Sequence, residues 1–219
     1  EGDVCIGDPN VTDYKGKGKY TANNGTVFEG TFNNASLTGT CTIKFVSGEI
    51  YEGEIKNGVF NGKGKLSYNG TVYDGTFVDG NFDGEGTITY PNGNYYRGKV
   101  KDNVPCGVGY MTYGKNNYTG EFKDGIREGK GIYTFEQGSV YTGDFVNDMF
   151  DGTGEIVNPD GTHYKGGFKA GQFDGDGEYT FATGEVYKGG FKNGQLVGTG
   201  TITTKGGVVK KCVCEKGMV

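Results

Sequence analysis

Tyr73-Asp74-Gly75-Thr76-Phe77, followed at Gly84 by Gly84-Glu85-Gly86, is the stretch from which the fold can be read. Both of its elements recur. The triplet aromatic-x-Gly starts at Phe28, Tyr51, Tyr73, Tyr96, Tyr118, Tyr141, Tyr164 and Tyr187, at steps of 22 or 23 residues. Gly-x-Gly starts at Gly16, Gly62, Gly84, Gly107, Gly129, Gly152, Gly175 and Gly198, with a ninth copy at Gly39 whose second glycine is Cys41. From each aromatic to the next Gly-x-Gly is always 11 residues; from Gly16, Gly39 and every later Gly-x-Gly to the next aromatic it is 12, or 11 after Gly62 and Gly107. Connections tolerate such length changes and strands do not, so the varying segment is a loop.

That loop reads as a hairpin turn. Tyr68-Asn69-Gly70-Thr71 and Tyr113-Gly114-Lys115-Asn116 suit two-residue loops of type I′ and II′. Pro91-Asn92-Gly93 and Pro159-Asp160-Gly161 suit three-residue loops closed by a left-handed glycine. Either form sets Leu66 opposite Tyr73, Ile88 opposite Tyr96 and Met111 opposite Tyr118. The second connection carries Asn57-Gly58, Asp79-Gly80, Asp124-Gly125 and Asn193-Gly194, also of type I′ form. Counted as a plain hairpin, it sets Gly53 beside Gly62 and Tyr51 beside Gly64.

Alternation along a strand sorts the faces. Gly62, Gly64, Leu66, Tyr68, Tyr73, Gly75 and Phe77 share one side; Lys63, Lys65, Ser67, Asp74 and Thr76 share the other, with Lys65 opposite Asp74. One face is aromatic and glycine, the other polar. A ring lying over a neighbouring glycine covers backbone that water would otherwise reach, so a sheet of one layer can bury surface. About eighteen strands at roughly 4.8 Å make a rod on the order of 80 Å long, coiled by strand twist into a groove along the aromatic face.

The composition agrees with a thin structure. Of 219 residues, 45 are glycine, 30 are Tyr or Phe, and only 33% are hydrophobic. The net charge of −5 does not favour nucleic acid. No apolar run is long enough to span a membrane, and five scattered cysteines read as reduced thiols of a cytoplasmic protein. The chain starts at Glu1 rather than Met, which reads as a trimmed start.

Tyr-x-Gly-x-Phe followed by Gly-x-Gly at this period, as in Tyr141-Thr142-Gly143-Asp144-Phe145 with Gly152-Thr153-Gly154, resembles the MORN (membrane occupation and recognition nexus) repeat. The resemblance implies an all-β fold: an elongated, single-layer, twisted antiparallel β-meander of about nine hairpin repeats of 22–23 residues. It divides the chain into a degenerate N-terminal cap (1–13), the repeat array (14–204) and a degenerate C-terminal cap and edge strand (205–219). It also implies a scaffold or adaptor, often cytoskeletal. Two alternatives attach to the family: a phosphoinositide- or membrane-associated tether, and the regulatory module of a larger enzyme such as a phosphatidylinositol phosphate kinase. Pro105, where other repeats have Phe82, Phe150 or Phe173, departs from the pattern, as does Asn158 at the position of Tyr68, Tyr90 and Phe135.

The chain reads as no enzyme and as needing no cofactor. His163 is its one histidine and falls on the polar face. Gly-x-Gly here has no following helix to receive a phosphate, so it is no dinucleotide fingerprint. Cys212 and Cys214, two residues apart on one strand face, are too few for a metal. Five Asn-x-Ser/Thr sequons, at Asn10, Asn24, Asn34, Asn69 and Asn117, follow from turn chemistry or call for secretion. The expected partner-binding groove is the ladder Phe45, Tyr68, Tyr90, Tyr113, Phe135 and Phe181, which would take a peptide or helix. Lys15, Lys17, Lys19, Lys205, Lys210 and Lys211 are the candidate lipid or anion contacts. Val208, Val209, Cys212, Val213 and Cys214 are the candidate edge of a homodimer.

Overall fold

The computed structural model describes residues 15–34 and 36–218, with side chains to Cys214. The expected N-terminal cap, with Cys5 and Asn10, lies outside the described residues, as does the side chain of Lys216. Among the described residues every helix or strand is a strand. They run β1 Lys15–Thr21, β2 Val27–Asn33, β3 Ser36–Lys44, β4 Ile50–Lys56, β5 Val59–Tyr68, β6 Thr71–Val78, β7 Asn81–Thr89, β8 Tyr95–Lys101 and β9 Val104–Tyr113. They continue as β10 Asn116–Lys123, β11 Ile126–Thr134, β12 Val140–Val146, β13 Met149–Val157, β14 His163–Lys169, β15 Gln172–Thr180, β16 Val186–Lys192, β17 Gln195–Thr203 and β18 Val209–Met218.

The chain forms two compact units, one ending at Cys106 and one beginning at Gly107. In the first, β1 to β8 pair consecutively and antiparallel. In the second, β9 from Gly107 onward and β10 to β18 do the same. Each is an antiparallel β-meander of one layer.

The turns have the chemistry the sequence asks of them. Asn69 and Gly70 have φ of 48° and 76°, with Tyr68 paired to Thr71, a type I′ turn. Gly93 and Gly161, at φ 84° and 87°, close the three-residue loops by donating to the carbonyls of Tyr90 and Asn158. Leu66 faces Tyr73, Ile88 faces Tyr96 and Met111 faces Tyr118. Lys65 stands opposite Asp74.

At the other connection the plain hairpin count is corrected. Gly53 pairs with Gly64, not Gly62, and Tyr51 pairs with Leu66. The register then shifts, so that Ile55 pairs with Phe60 and Lys56 with Val59. Asn61, Gly62 and Lys63 thus oppose Glu54 alone, forming a β-bulge. Gly62 makes it at φ 84°, a conformation that a side chain would strain. The Glu54 carboxylate accepts the freed Lys63 N–H at 2.9 Å. Glu121 does the same for Lys130 N–H, and Asp144 for Thr153 N–H. The first glycine of Gly-x-Gly is therefore a bulge residue, and only the second lies in the glycine column under the tyrosines. The last strand runs to Met218.

Candidate functional site

The inner row of the aromatic face is structural. Tyr51, Tyr73, Tyr96, Tyr118, Tyr141, Tyr164 and Tyr187 are each 0% exposed. The rings of Tyr51, Tyr73, Tyr118, Tyr141, Tyr164 and Tyr187 each lie over the glycine two residues on and over that glycine's cross-strand partner, as Tyr73 covers Gly75 and Gly86. Each hydroxyl donates to the backbone carbonyl three residues on: Tyr73 to Thr76 at 2.8 Å, Tyr118 to Glu121 at 2.9 Å, Tyr141 to Asp144 at 2.8 Å. The bulge explains this bond. Thr76, Glu121 and Asp144 are skipped by the cross-strand register, and the hydroxyl serves the carbonyl so released. At Tyr187, whose Gly190 is paired to Val197, the bond stretches to 3.3 Å. At Phe28, whose Thr31 is paired to Thr38, no hydroxyl is needed. Tyr73→Phe is accordingly expected to lower stability by about 1–3 kcal/mol, the cost of a buried acceptor without a donor. Urea titration would check this, with Phe28→Tyr, which meets no released carbonyl, gaining nothing.

A second row stacks on the first. Phe60, Phe82, Phe150 and Phe173 lie face to face with Tyr51, Tyr73, Tyr141 and Tyr164, centroids 3.8–3.9 Å apart. Arg127 takes this place above Tyr118. Its guanidinium lies 5.1–5.8 Å from the centroids of Tyr113, Tyr118, Tyr133 and Phe145, and its Nε is 2.9 Å from Asp148 Oδ1. Sequence reading passed over this residue, although it stands 23 positions before Phe150 and so fills a phenylalanine's slot. Burial pushes the Tyr118 hydroxyl up to about 12, with Arg127 opposing the rise.

The outer ladder lies beyond these rows. In the first unit it consists of Phe45, Tyr68 and Tyr90, and in the second of Tyr113, Phe135 and Phe181, all half-buried. Their inner sides pack on the second row: Phe45 meets Phe60 at 6.5 Å, Tyr68 meets Phe82 at 6.2 Å and Phe135 meets Phe150 at 6.1 Å. Tyr113 packs on Arg127.

The larger concavities are on the polar face, where the glycine columns form a floor. In the second unit, a trough of about 780 Å³ lies over Gly131, Gly143, Gly154 and Gly166, walled by Lys130, Thr142, Glu155 and Lys165. In the first, one of about 470 Å³ runs past Lys17, Lys19, Glu29 and Glu52. Of the candidate anion contacts, Lys15, Lys17 and Lys19 are exposed on alternate residues of β1, and Lys205, Lys210 and Lys211 are exposed in the second unit. At the candidate dimer edge, Val208, Val209 and Val213 are 55%, 62% and 72% exposed, while Cys212 and Cys214 face Gly200 and Gly198 and are half-buried. Cys41 is buried in its glycine column opposite Gly30, which pushes its thiol up to about 11. Cys41, Cys106, Cys212 and Cys214 are free thiols. His163 Nε2 is 2.8 Å from Glu155 Oε1 on the polar face. Among the described residues no group of three or more His, Cys, Asp or Glu is placed to hold a metal, and no helix is long and apolar enough to cross a membrane.

The sequence model of the MORN repeat matches residues 14–27, 51–72, 73–95, 96–117, 118–140, 141–163, 164–186 and 187–208. The chain belongs to the MORN repeat family. The stretch 28–50, which carries Cys41, is not among the matched segments, yet β2 and β3 pair there as in the other hairpins. A search of curated proteins found no match. Among solved structures, the TCP10 domain of CPAP from Danio rerio is similar at 14% identity, over 92% of this chain and 99% of that one, with a TM-score of 0.51. The TCP domain of SAS-4 (dCPAP) from Drosophila melanogaster, solved in complex with a proline-rich motif of Ana2 (dSTIL), is 14% identical over 90% of each chain, with a TM-score of 0.41. At such identities the Danio rerio domain speaks for the fold of the MORN array alone.

Proposed function

We propose that this MORN array is a non-catalytic scaffold that binds protein partners through its outer aromatic ladder. The observation that supports this reading is the division of labour on the aromatic face. The tyrosines that hold the sheet are fully buried, whereas the ladder rings keep an open side. Aromatic side chains held rigidly from beneath and open above suit hot spots, since they bury much area for little ordering. The partner would be a peptide or helix lying across the rings, and the family resemblance points to cytoskeletal assemblies as its setting. The test compares three proteins in affinity capture from cell lysate: the wild type, Phe45→Ala/Tyr68→Ala/Tyr90→Ala, and Tyr113→Ala/Phe135→Ala/Phe181→Ala, each shown folded by circular dichroism. Partners held by the wild type should weaken at least about tenfold in one variant, since truncating a hot-spot ring costs about 2 kcal/mol or more. Equal retention by all three would refute the reading.

A second reading, a homodimer through the last strand, is supported by the exposed Val209 and Val213 on β18. Sedimentation of wild type against Val209→Lys/Val213→Lys checks it, with a wild-type monomer at micromolar concentration as the adverse result. Phosphoinositide contact through Lys17 and Lys19 is weakened by Glu29 and Glu52 in the same trough. Lys211 lines a separate hollow with Thr199, Thr201 and Val213, and salt-sensitive liposome binding lost with Lys210→Ala/Lys211→Ala would support that contact there.

A further inference from the structure

The ladder has a gap within the second unit. Phe45, Tyr68, Tyr113 and Phe135 each cover the second-row residue two strands on, as Phe135 covers Phe150. At the next repeat Asn158 stands where the ring would be, and its Nδ2 is turned to Thr162 Oγ1 at 2.9 Å. Phe173 is stacked on Tyr164 below but has no ladder ring above. A pocket of about 250 Å³ opens there, with Phe173 and Tyr179 as its aromatic walls and Asn158, Gln172 and Asn193 as polar lining, between two turn glycines.

We propose that this pocket is a socket for one neutral aromatic side chain of a partner segment. The socket rests on the partner-binding reading and names the residue class the partner must present. Three observations carry it. The site is the space that the chain's own rings fill at Phe45, Tyr68 and Phe135, so a phenyl or phenol group already has the matching shape and neighbours. Its volume suffices, since a cavity of about 150 Å³ holds benzene. No charged side chain lines it. Where the array does place a cation among rings, at Arg127, it supplies Asp148 beside it, and the socket offers no carboxylate of that kind. A neutral ring therefore fits and a guanidinium or ammonium does not. Gln172 and Asn193 line the pocket with side-chain amides that can hydrogen-bond the peptide groups flanking that ring, the usual pairing of an apolar pocket with a few polar contacts.

The test uses capped tripeptides Gly-Phe-Gly, Gly-Ala-Gly and Gly-Arg-Gly as probes, titrated into the isotope-labelled full chain and followed by nuclear magnetic resonance. The Phe peptide should shift the Gln172 and Asn193 side-chain amides saturably and bind about tenfold more tightly than the Ala peptide, with the Arg peptide no better than Ala. Asn158→Phe should fill the socket, raise the thermal midpoint and abolish those shifts. Asn158→Tyr serves the same purpose if the Phe variant does not fold, since the ladder carries both ring types. Equal binding of the Phe and Ala peptides, or undiminished binding of the Phe peptide by the filled variant, overturns the socket. Lysate capture separates the two claims. Partners lost with the ladder alanines but kept at full strength by Asn158→Phe would remove the socket and leave the scaffold reading standing. Partners equally kept by every variant would remove the scaffold reading.

Discussion

Gly131→Ala is expected to be among the most damaging single-methyl changes in the chain. A Cβ at that position would lie 2.3 Å from Cε2, 2.5 Å from the hydroxyl oxygen and 2.6 Å from Cζ of Tyr118. The ring cannot yield. It is 0% exposed, its hydroxyl is tied to the Glu121 carbonyl, and Phe122 and Phe145 stand edge-on at 5.1 and 4.8 Å. Overpacking a rigid site costs about 1–3 kcal/mol and occasionally more, and here the upper end or beyond is expected because the clash reaches three ring atoms. Gly93→Ala makes the comparison. At φ 84° with open space around it, Gly93 risks only conformational strain of about 1–2 kcal/mol. Urea midpoints of the two variants should separate clearly, and a Gly131→Ala midpoint at or above that of Gly93→Ala would show that the column is looser than its geometry.

The second large effect is a steep alkaline unfolding. Burial raises all seven inner tyrosines above their ordinary value of 10, with Tyr118, Tyr164 and Tyr187 reaching about 12. In the unfolded chain these hydroxyls lose their protons from about pH 10 upward, while the folded chain holds them. Above pH 10 the unfolded state binds fewer protons, so stability falls as pH rises. The stabilisation is complete below pH 10 and is lost as pH climbs through 12. Each tyrosine contributes a slope of about 1.4 kcal/mol per pH unit, so that over the two units above pH 10 several together reach the range of an ordinary domain's stability, about 5–15 kcal/mol. The sheet signal in circular dichroism should therefore be lost in one cooperative step between pH 10 and 12, with the phenolate absorbance of the seven inner tyrosines appearing in that same step. Phenolate absorbance reaching the value for all sixteen tyrosines with the sheet signal intact would mean the inner rings are open to solvent.

The two predictions draw on the parts of the molecule that the sequence exposes most and least. That rings cover glycines follows from the phase of two triplets, because alternation fixes which residues share a face. The hairpin turns follow from Asn-Gly and Pro-x-Gly chemistry. The bulge at Gly62 does not, since a glycine in a strand and a glycine at positive φ look alike in sequence, and only the pairing of Gly53 with Gly64 separates them. Without the bulge there is no released carbonyl, so the preference for Tyr over Phe has no visible reason. Arg127 was missed for another cause: an arginine among phenylalanines is legible only once the column is aligned by position rather than by residue type. The ladder residues could be named from the sequence. Which second-row residue lacks a ladder ring's cover depends on contacts two strands away, so the opening beside Asn158 is set by the fold and not by the local sequence. Alternation also says nothing about curvature, so the troughs of the polar face were not foreseen.

The tyrosine's hydrogen bond has one further consequence. Because each hydroxyl is spent on a carbonyl three residues along its own strand, and each ring on a glycine pair made with the next strand, a hairpin asks nothing particular of more distant hairpins. Length is then an adjustable quantity for such a chain. Cutting out 141–163 joins Val140 to Tyr164, an aromatic at the phase of the one removed, and every remaining tyrosine keeps its carbonyl. A cut of 20 residues in the same place would set rings over side chains. Such a gene would grow and shrink by whole repeats, with each intermediate able to fold.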